Sequence, residues 1–209
     1  MPRNPPTSRP YVIGLTGSIA MGKSETAKLF AAEGVAVHDA DAAIHRLYGK
    51  GGAAAAKIAE IYPQVIRDGA VDRAALSALV TGDSVALARL EALVHPLVVL
   101  DRDAFLQEET ARGTPIVLLD VPLLFETGAE TGMDALVVAS APATVQRQRA
   151  LERPGMTAEK FERLLARQMP DVDKRAKAHF VVVTDKGLDH ARGQVRMILA
   201  AIQEKIRKP

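Results

Sequence analysis

The amino-acid sequence predicts an α/β fold in which helices cover both faces of a five-stranded parallel sheet. Short apolar runs typical of buried strands alternate with helical patterns, and one long helical stretch interrupts this alternation before the middle of the chain. Strands that alternate with helices favour parallel pairing through right-handed crossovers. With 209 residues and 48% hydrophobic content, the chain is long enough for one moderate domain or for a core with an inserted lobe.

Composition excludes several classes of function. The chain has 27 Lys and Arg against 25 Asp and Glu, and this net charge of +2 gives no argument for a nucleic-acid or membrane surface. The lack of cysteine excludes disulfides, Fe–S clusters and thiolate zinc sites. Residues 1–10 are a proline-rich, polar extension unlike a signal peptide, and no apolar run is long enough to span a membrane. We expect a soluble, cytoplasmic protein without an obligate protein partner, either a monomer or a small homo-oligomer.

The first predicted strand, Tyr11–Thr16, leads directly into a glycine-rich loop. Residues 17–24 read Gly-Ser-Ile-Ala-Met-Gly-Lys-Ser and fit the pattern G-x-x-x-x-G-K-[ST]. In such a loop consecutive backbone N–H groups point at phosphate oxygens, and the N-terminus of the following helix adds a favourable dipole. The two glycines leave room for the ligand, Lys23 brings a charge to the outer phosphates, and Ser24 offers a hydroxyl to Mg²⁺. The sequence therefore predicts a phosphate-binding loop.

A helix and a short strand follow the loop. The helix is predicted over residues 24–33, with Gly34 as its stop, and the strand over residues 35–37. Asp39 and Asp41 come just after this strand, at the sheet edge where α/β proteins place their ligands. Either carboxylate could accept a proton from an acceptor hydroxyl, and either could simply cap the next helix. Spacing alone leaves both candidates open.

Residues 42–113 are predicted to form a helical insertion between the second and third strands of the sheet. Its alanine-rich pieces, at Ala53–Ile61, Arg73–Val80 and residues 84–94, are separated by glycine and proline, and we identify no strand in it. His95 lies in the third of these pieces. A lone histidine is most often a packed or capping residue, but this one could also contact an anionic acceptor.

The remaining three strands lie in the second half of the chain. They are predicted within residues 115–126, at residues 135–139 and at Phe180–Val183, and the amphipathic helix Leu188–Arg207 closes the chain. Asp120 stands at the end of its strand, where a phosphate-loop protein holds a second group for Mg²⁺ opposite the loop serine. The alternative for such an aspartate is a helix cap or a turn.

Two arginines follow the fourth strand. A helix predicted over residues 142–151 carries Arg149, and Arg153 lies on the same face if the helix persists to that position. Arginine presents a planar fork that suits phosphate and can neutralise charge on a transferring group, although a solvated helix face is the alternative. A Pro-Gly pair then breaks the helix, and another is predicted over residues 157–169. We interpret residues 151–178 as a hinged lid.

Five motifs, taken together in their order and spacing, resemble those of dephospho-CoA kinases. They are residues 16–24, 39–41, 93–96, 120–126 and 146–153. The similarity runs from about Tyr11 to Ile206, and the sequence Asp-Val-Pro-Leu-Leu-Phe-Glu at residues 120–126 is far more specific than the loop. The resemblance implies a P-loop NTPase fold with a helical acceptor-binding domain and a lid in one kinase unit, residues 11–209. Its core would comprise residues 11–41, 114–150 and 179–209.

The resemblance also implies a reaction, the transfer of phosphate from MgATP to the ribose 3′-hydroxyl of dephospho-CoA as the last step of coenzyme A synthesis. It makes Asp41 the base, with Lys23 and Arg149 as further catalytic residues. The implied ATP-binding residues are Gly17, Ser18, Ile19, Ala20, Met21, Gly22, Lys23, Ser24, Arg149, Arg153 and Thr184. The implied Mg²⁺ ligands are Ser24 and Asp120. The implied acceptor-binding residues are Asp39, Asp41, His95 and Leu123. Near the adenine the family tends to have Asn where this chain has Thr184.

Two other functions remain open on the loop alone. Another small P-loop kinase, acting on a nucleotide or a small alcohol, would share every residue of the loop. A GTPase-like switch would bind nucleotide in order to control a partner. The guanine-reading sequence Asn-Lys-x-Asp is absent at the matching position, since residues 184–187 read Thr-Asp-Lys-Gly.

Overall fold

A computed structural model describes residues 9–208 of the chain. The strands within these residues are β1 (Tyr11–Thr16), β2 (Ala36–Asp39), β3 (Ile66–Arg67), β4 (Ala70–Val71), β5 (Ile116–Asp120), β6 (Ala135–Ser140) and β7 (Phe180–Val183). The α-helices within them are α1 (Lys23–Ala32), α2 (Ala40–Tyr48), α3 (Ala53–Ile61), α4 (Arg73–Val80), α5 (Ser84–Arg112), α6 (Ala143–Leu151), α7 (Ala158–Leu165), α8 (Asp171–Lys177) and α9 (Leu188–Arg207). The predicted extension, residues 1–10, lies outside the described residues except for its last two.

The chain divides into two compact units. One comprises the described residues up to His38 together with those from Glu109 onward, and the other is Asp39–Glu108. Each unit has a hydrophobic core of its own. None of the helices in the described part of the chain has the length and apolar character that a membrane crossing needs.

The first unit is built on a five-stranded parallel sheet with the strand order β2-β5-β1-β6-β7. Strand β1 lies at the centre, in parallel register with β5 on one side and β6 on the other. Leu15 of β1 stands opposite Asp120, the last residue of β5. The predicted sheet is therefore confirmed. Because parallel strands end at the same edge, the segments that follow β1, β5 and β6 emerge together at that edge.

The core of this unit explains why the strands read as continuous apolar runs. Ile13 and Leu15 on β1 and Val137 on β6 have no solvent exposure, because helices cover both faces of the sheet. Phe30 of α1 and Val195 of α9 pack into the same fully buried cluster. Burial of each such side chain contributes about 1.5–3 kcal/mol of transfer free energy. This packing fixes the sheet edge from which the functional loops extend.

The second unit packs four helical segments around a smaller core, and it also contains a hairpin that the sequence analysis missed. Strands β3 and β4 pair antiparallel, so the expectation that residues 42–113 contain no strand was wrong. The turn between them is Asp68-Gly69, with φ of 50° and 79°. An Asp-Gly pair is a strong hairpin signal because both turn residues need a positive φ. The buried core residues of this unit are Ala54, Ala55, Ile58, Val65, Val71, Leu76, Leu90, Val94 and Leu97.

Three predicted boundaries differ from those observed by four residues or more, and proline explains two of the differences. The strand predicted within residues 115–126 ends at Asp120, because Pro122 cannot donate a backbone hydrogen bond to a sheet. The helix predicted over residues 157–169 ends at Leu165, a few residues before Pro170. The helical piece at residues 84–94 instead continues to Arg112, with Pro96 inside the helix, because one missing hydrogen bond does not stop a long helix.

Candidate active site

The glycine-rich loop between β1 and α1 has a backbone that only certain residues can adopt. A Cβ atom on Gly17 would lie 2.8 Å from the carbonyl oxygen of Ala139, so the strand ends pass too close for a side chain there. Gly22 has a φ of 89° and caps the N-terminus of α1. Ala20 also has a positive φ, of 61°. When residues in the left-handed conformation alternate with residues in the right-handed one, successive backbone N–H groups point toward a common centre, and this arrangement favours anion binding.

The side chains of the loop point into the protein. Ser18, Ala20 and Met21 retain only 3%, 5% and 2% of their exposure. The Met21 sulfur accepts a hydrogen bond from the backbone N–H of Ala141, at 3.1 Å. At these three positions the loop therefore offers its backbone to a ligand, while the side chains pack inward.

Three polar side chains from elsewhere in the chain hold the backbone of the loop. Gln146 Nε2 donates to the carbonyl oxygen of Ile19, at 2.9 Å, and the N–H of Ile19 donates to Gln168 Oε1, also at 2.9 Å. Thr184 Oγ1 donates to the carbonyl oxygen of Met21, at 2.8 Å. The sequence analysis did not select either glutamine as a site residue. No local pattern of the sequence distinguishes either glutamine, because the burial of Gln146 and the contact of Gln168 follow from tertiary packing.

Lys23, the first residue of α1, forms an ion pair with Asp120 at the end of β5. The Lys23 Nζ atom lies 2.6 Å from Asp120 Oδ1, and the two side chains are 13% and 4% exposed. Asp120 thus ends its strand beside the loop, where the sequence analysis expects it. Ser24 follows Lys23 in the first turn of α1 and is exposed.

The donor set suits a loosely held magnesium ion. Among residues 9–208 no group of three or more His, Cys, Asp or Glu side chains is arranged to hold a metal. Mg²⁺ usually keeps several waters and takes one or two protein ligands together with substrate phosphates. A hydroxyl from Ser24 and a carboxylate from Asp120 fit this requirement.

A cavity of about 430 Å³ lies beside the loop and contains both predicted arginines. Arg149 donates to Thr184 twice, from Nη1 to Oγ1 at 3.0 Å and from Nη2 to the carbonyl oxygen at 2.7 Å. Helix α6 ends at Leu151, before the Pro-Gly pair, so the condition under which Arg149 and Arg153 would share a helical face is not met. The cavity is lined by Ala20, Gly22, Glu25, Thr26, Leu29, Arg149, Arg153, Thr184, Asp185, Gly187, Leu188 and Ala191.

The other candidate residues take up different positions. Asp39 caps α2, and its side chain accepts from the N–H of Ala42 at 3.0 Å. Asp41 lies in the first turn of the same helix, exposed, and His95 is exposed on α5 within the second unit. Leu123 belongs to the first unit, in the turn after β5, and is 40% exposed.

A buried ion pair lies at the end of the 120–126 motif. Glu126 Oε1 accepts from the N–H of Met169 at 2.8 Å and lies 2.8 Å from Nζ of Lys174, whose side chain is completely buried. Burial by itself raises the pKa of the Glu126 carboxyl, but the bonds from Lys174 and Met169 outweigh it and hold that pKa below its usual value. This pair was not among the predicted site residues. It fastens α8 to the turn after β5, and the bond from Met169 fastens the segment before α8 to the same turn.

Comparison with known proteins supplies independent information. The family model described as CoaE, dephospho-CoA kinase, matches residues 11–190. A dephospho-CoA kinase from Mesorhizobium japonicum is 54% identical over 188 residues, which are 90% of this chain and 94% of that protein.

Solved structures show the same fold. TT1252 from Thermus thermophilus aligns with a TM-score of 0.80 and 32% identity, covering 93% of this chain and 98% of its own. A dephospho-CoA kinase from Campylobacter jejuni aligns with a TM-score of 0.65 and 19% identity, covering 93% of this chain and 98% of its own. The predicted P-loop NTPase fold is confirmed.

Proposed function

The chain belongs to the dephospho-CoA kinase family, and from this premise we propose how its residues transfer the γ-phosphate of ATP to the ribose 3′-hydroxyl of dephospho-CoA. One observation carries the proposal: the curled loop, with Lys23 behind it, lies at the carboxyl edge of the sheet beside a cavity with two arginines. These are the parts that phosphoryl transfer requires, since the protein has to align two reactants and stabilise spread negative charge.

The loop and its neighbours bind the nucleotide in this proposal. The backbone N–H groups of Ala20 and of residues 22–24 bind the β- and γ-phosphates, while the N–H of Met21 donates within the loop to the carbonyl oxygen of Ser18, at 3.1 Å. Lys23 exchanges its contact with Asp120 for the outer phosphate oxygens. Arg149 and Arg153 neutralise charge that develops on the transferring group. The apolar side chains of Leu29 and Leu188 in the cavity suit the face of an adenine ring.

Magnesium enters the proposal through Ser24 and Asp120. These residues would hold the ion, and a bound Mg²⁺ would neutralise charge between the β- and γ-phosphates. The Asp120 carboxylate, which pairs with the Lys23 ammonium in this structure, would then be available to the ion. The Ser24 hydroxyl lies in the first turn of α1, next to the backbone N–H groups that bind the phosphates.

The acceptor hydroxyl is deprotonated by Asp41 in this proposal. The hydrogen bond that Asp39 makes to its own helix supports this choice, because one oxygen of Asp39 already serves as the helix cap. Asp41 is exposed and has no such role in capping. His95 and Leu123 are proposed to contact the acceptor, as the family resemblance implies.

One assay tests the reaction and the acceptor together. The purified chain is incubated with MgATP and dephospho-CoA, and mass spectrometry and NMR are used to look for a product heavier by one phosphoryl group at the 3′ position. We expect this product, and we expect nucleoside monophosphates and small alcohols to react far more slowly. Rapid phosphorylation of one of those acceptors without turnover of dephospho-CoA would overturn the proposal. Equal binding of GTP and ATP without any transfer would instead support a nucleotide-dependent switch.

Localisation and assembly belong to the proposal as well. A metabolic kinase without cysteine suits the reducing cytoplasm, and we propose that the chain works there as a monomer or small homo-oligomer. Fractionation of cells and light scattering on the purified chain test these two points.

A further inference from the structure

Both peptide groups that flank the Cα atom of Ile19 are held by glutamine side chains. Gln146, on α6, donates to the carbonyl oxygen of Ile19, and Gln168, between α7 and α8, accepts from its N–H, each at 2.9 Å. A carbonyl can only accept and an N–H can only donate, so the backbone fixes which end of each glutamine amide is used. Gln146 is 4% exposed, and Gln168 is half-buried.

The bond to the Ile19 carbonyl determines where the next N–H points. In a planar trans peptide the carbonyl oxygen and the following N–H face in opposite directions. Gln146 holds the oxygen of the Ile19–Ala20 peptide, so the N–H of Ala20 faces away from Gln146. Ala20 also has a φ of 61°, which a residue with a Cβ atom adopts only when its surroundings hold it there. The contact with Gln146 therefore supports a strained conformation at the centre of the phosphate-binding loop.

The same arrangement recurs two residues later. Thr184 Oγ1 donates to the carbonyl oxygen of Met21, and this bond turns the N–H of Gly22 in the opposite direction. Gly22 is the second left-handed position of the loop. Side chains thus hold the carbonyl groups of Ile19 and Met21. The N–H groups of the residues that follow them, Ala20 and Gly22, point away from those side chains.

We infer that Gln146 and Gln168 are positioning residues for the phosphate-binding loop. Gln146 keeps the N–H of Ala20 aimed at the nucleotide phosphates, and Gln168 holds the preceding peptide group and ties the loop to the segment between α7 and α8. The inference rests on the proposed binding of ATP phosphates by this loop. Neither glutamine contacts substrate in this account, so each acts only through the backbone of Ile19.

The test replaces each glutamine with methionine, which has a similar length but cannot donate a hydrogen bond and accepts only weakly. The variants are Gln146→Met and Gln168→Met. Gln148→Met is the matched control, because Gln148 is exposed on the same helix and its side chain bonds Glu152 at 3.0 Å. The measurements are kcat, the KM for ATP, the KM for dephospho-CoA and the melting temperature of each full-length variant.

We expect Gln146→Met to raise the KM for ATP by about tenfold. The variant would lose the orientation of the Ala20 N–H, and a hydrogen bond from a backbone N–H to a charged phosphate is worth at least that factor. The KM for dephospho-CoA should stay within about twofold of wild type. Gln168→Met should raise the KM for ATP by about threefold or more, and Gln148→Met should leave every constant unchanged. A role limited to folding would lower the melting temperature and leave the KM for ATP of the folded fraction as it is.

Amide hydrogen exchange measures the contact between Gln168 and the Ile19 N–H in the absence of nucleotide. In the free protein Gln168→Met should speed exchange of the Ile19 amide by about tenfold, because its acceptor is removed. If Gln146→Met fails to fold, Gln168→Met still supplies the KM for ATP and the exchange rate of the Ile19 amide. Gln168 is only half-buried, so its substitution disturbs the core less. The inference fails if both methionine variants keep the KM for ATP within about twofold, or if exchange at Ile19 is unaffected. A wild-type chain that binds no ATP would instead refute the proposed function, and the exchange result would still decide whether Gln168 holds the loop.

Discussion

Lys23 and Asp120 form an ion pair of 2.6 Å in which both side chains are largely buried. The Lys23 ammonium is therefore neutralised in the free protein by the carboxylate proposed to act with Ser24 on magnesium. Two residues with separate tasks in the nucleotide complex are coupled before the nucleotide arrives. Removal of one of them consequently changes both stability and turnover.

Lys23→Ala is expected to lower kcat by at least about 100-fold, since it removes a charge aimed at the transferring phosphate. It should also destabilise the fold by about 3 kcal/mol, because Asp120 is left buried without this partner. Denaturant unfolding and steady-state kinetics measure the two effects. The double variant Lys23→Ala with Asp120→Asn should regain part of the lost stability but none of the activity. Additive losses of stability in the double variant would show that the pair is not coupled.

Asp41→Asn and Asp39→Ala should separate catalysis from helix capping. Asp41→Asn is expected to lower kcat by about 100-fold or more and to leave the KM for ATP unchanged, because it removes a general base. Asp39→Ala should cost about 1 kcal/mol of unfolding free energy through the lost cap of α2, with a smaller effect on kcat. If the kinetic effects are reversed, Asp39 is the base.

Thr184→Val should weaken ATP binding by about threefold to tenfold. The hydroxyl donates to the Met21 carbonyl and accepts from Arg149, so valine removes both contacts and keeps the shape of the side chain. Thr184→Ser is the matched control, since it retains the hydroxyl. Titration calorimetry with ATP measures the difference, and equal affinities for the two variants would assign Thr184 to packing alone.

Acid should destabilise the fold through Glu126. A carboxyl with a pKa that is lower in the folded than in the unfolded chain stabilises the fold above the unfolded-state pKa, and this contribution is lost as the pH falls through the folded-state pKa. The unfolding free energy should therefore fall as the pH decreases below the ordinary carboxyl value of 4.5.

Glu126→Gln tests that assignment. It should flatten this part of the pH dependence and destabilise the fold at neutral pH by about 3–5 kcal/mol, because the buried Lys174 ammonium then lacks a counter-charge. Urea unfolding between pH 3 and pH 7 is the measurement. Glu60→Gln, at an exposed position on α3, is the control. Parallel pH profiles for wild type and Glu126→Gln would contradict the assignment.

The sheet could be predicted because its signals are local. The strand Phe180–Val183 and the loop after Tyr11–Thr16 can each be identified from a few neighbouring residues. The partners of the loop could not be predicted in this way. Ile19 meets Gln146 and Gln168 across 127 and 149 positions of the chain, and no local pattern records such a contact.

The buried pair Glu126–Lys174 could not be predicted either, because its burial also depends on contacts between distant parts of the chain. Lysine and glutamate are usually exposed, so the ordinary expectation for each is a solvated surface position. Their burial depends on how the turn after β5 packs against α8, which is a property of the assembled fold. The Asp68-Gly69 turn is a different case, because its signal was local and was overlooked.

The inward side chains of Ser18, Ala20 and Met21 have a consequence for how this loop tolerates change. The G-x-x-x-x-G-K-[ST] pattern allows any residue at these positions, but in this chain their side chains are buried, so packing restricts their size and shape. A mutational library at Met21 should therefore rank variants by side-chain volume, with Leu above Ala and Ala above Asp. Phosphate binding by the loop should therefore be retained only in variants whose side chain still packs in the interior.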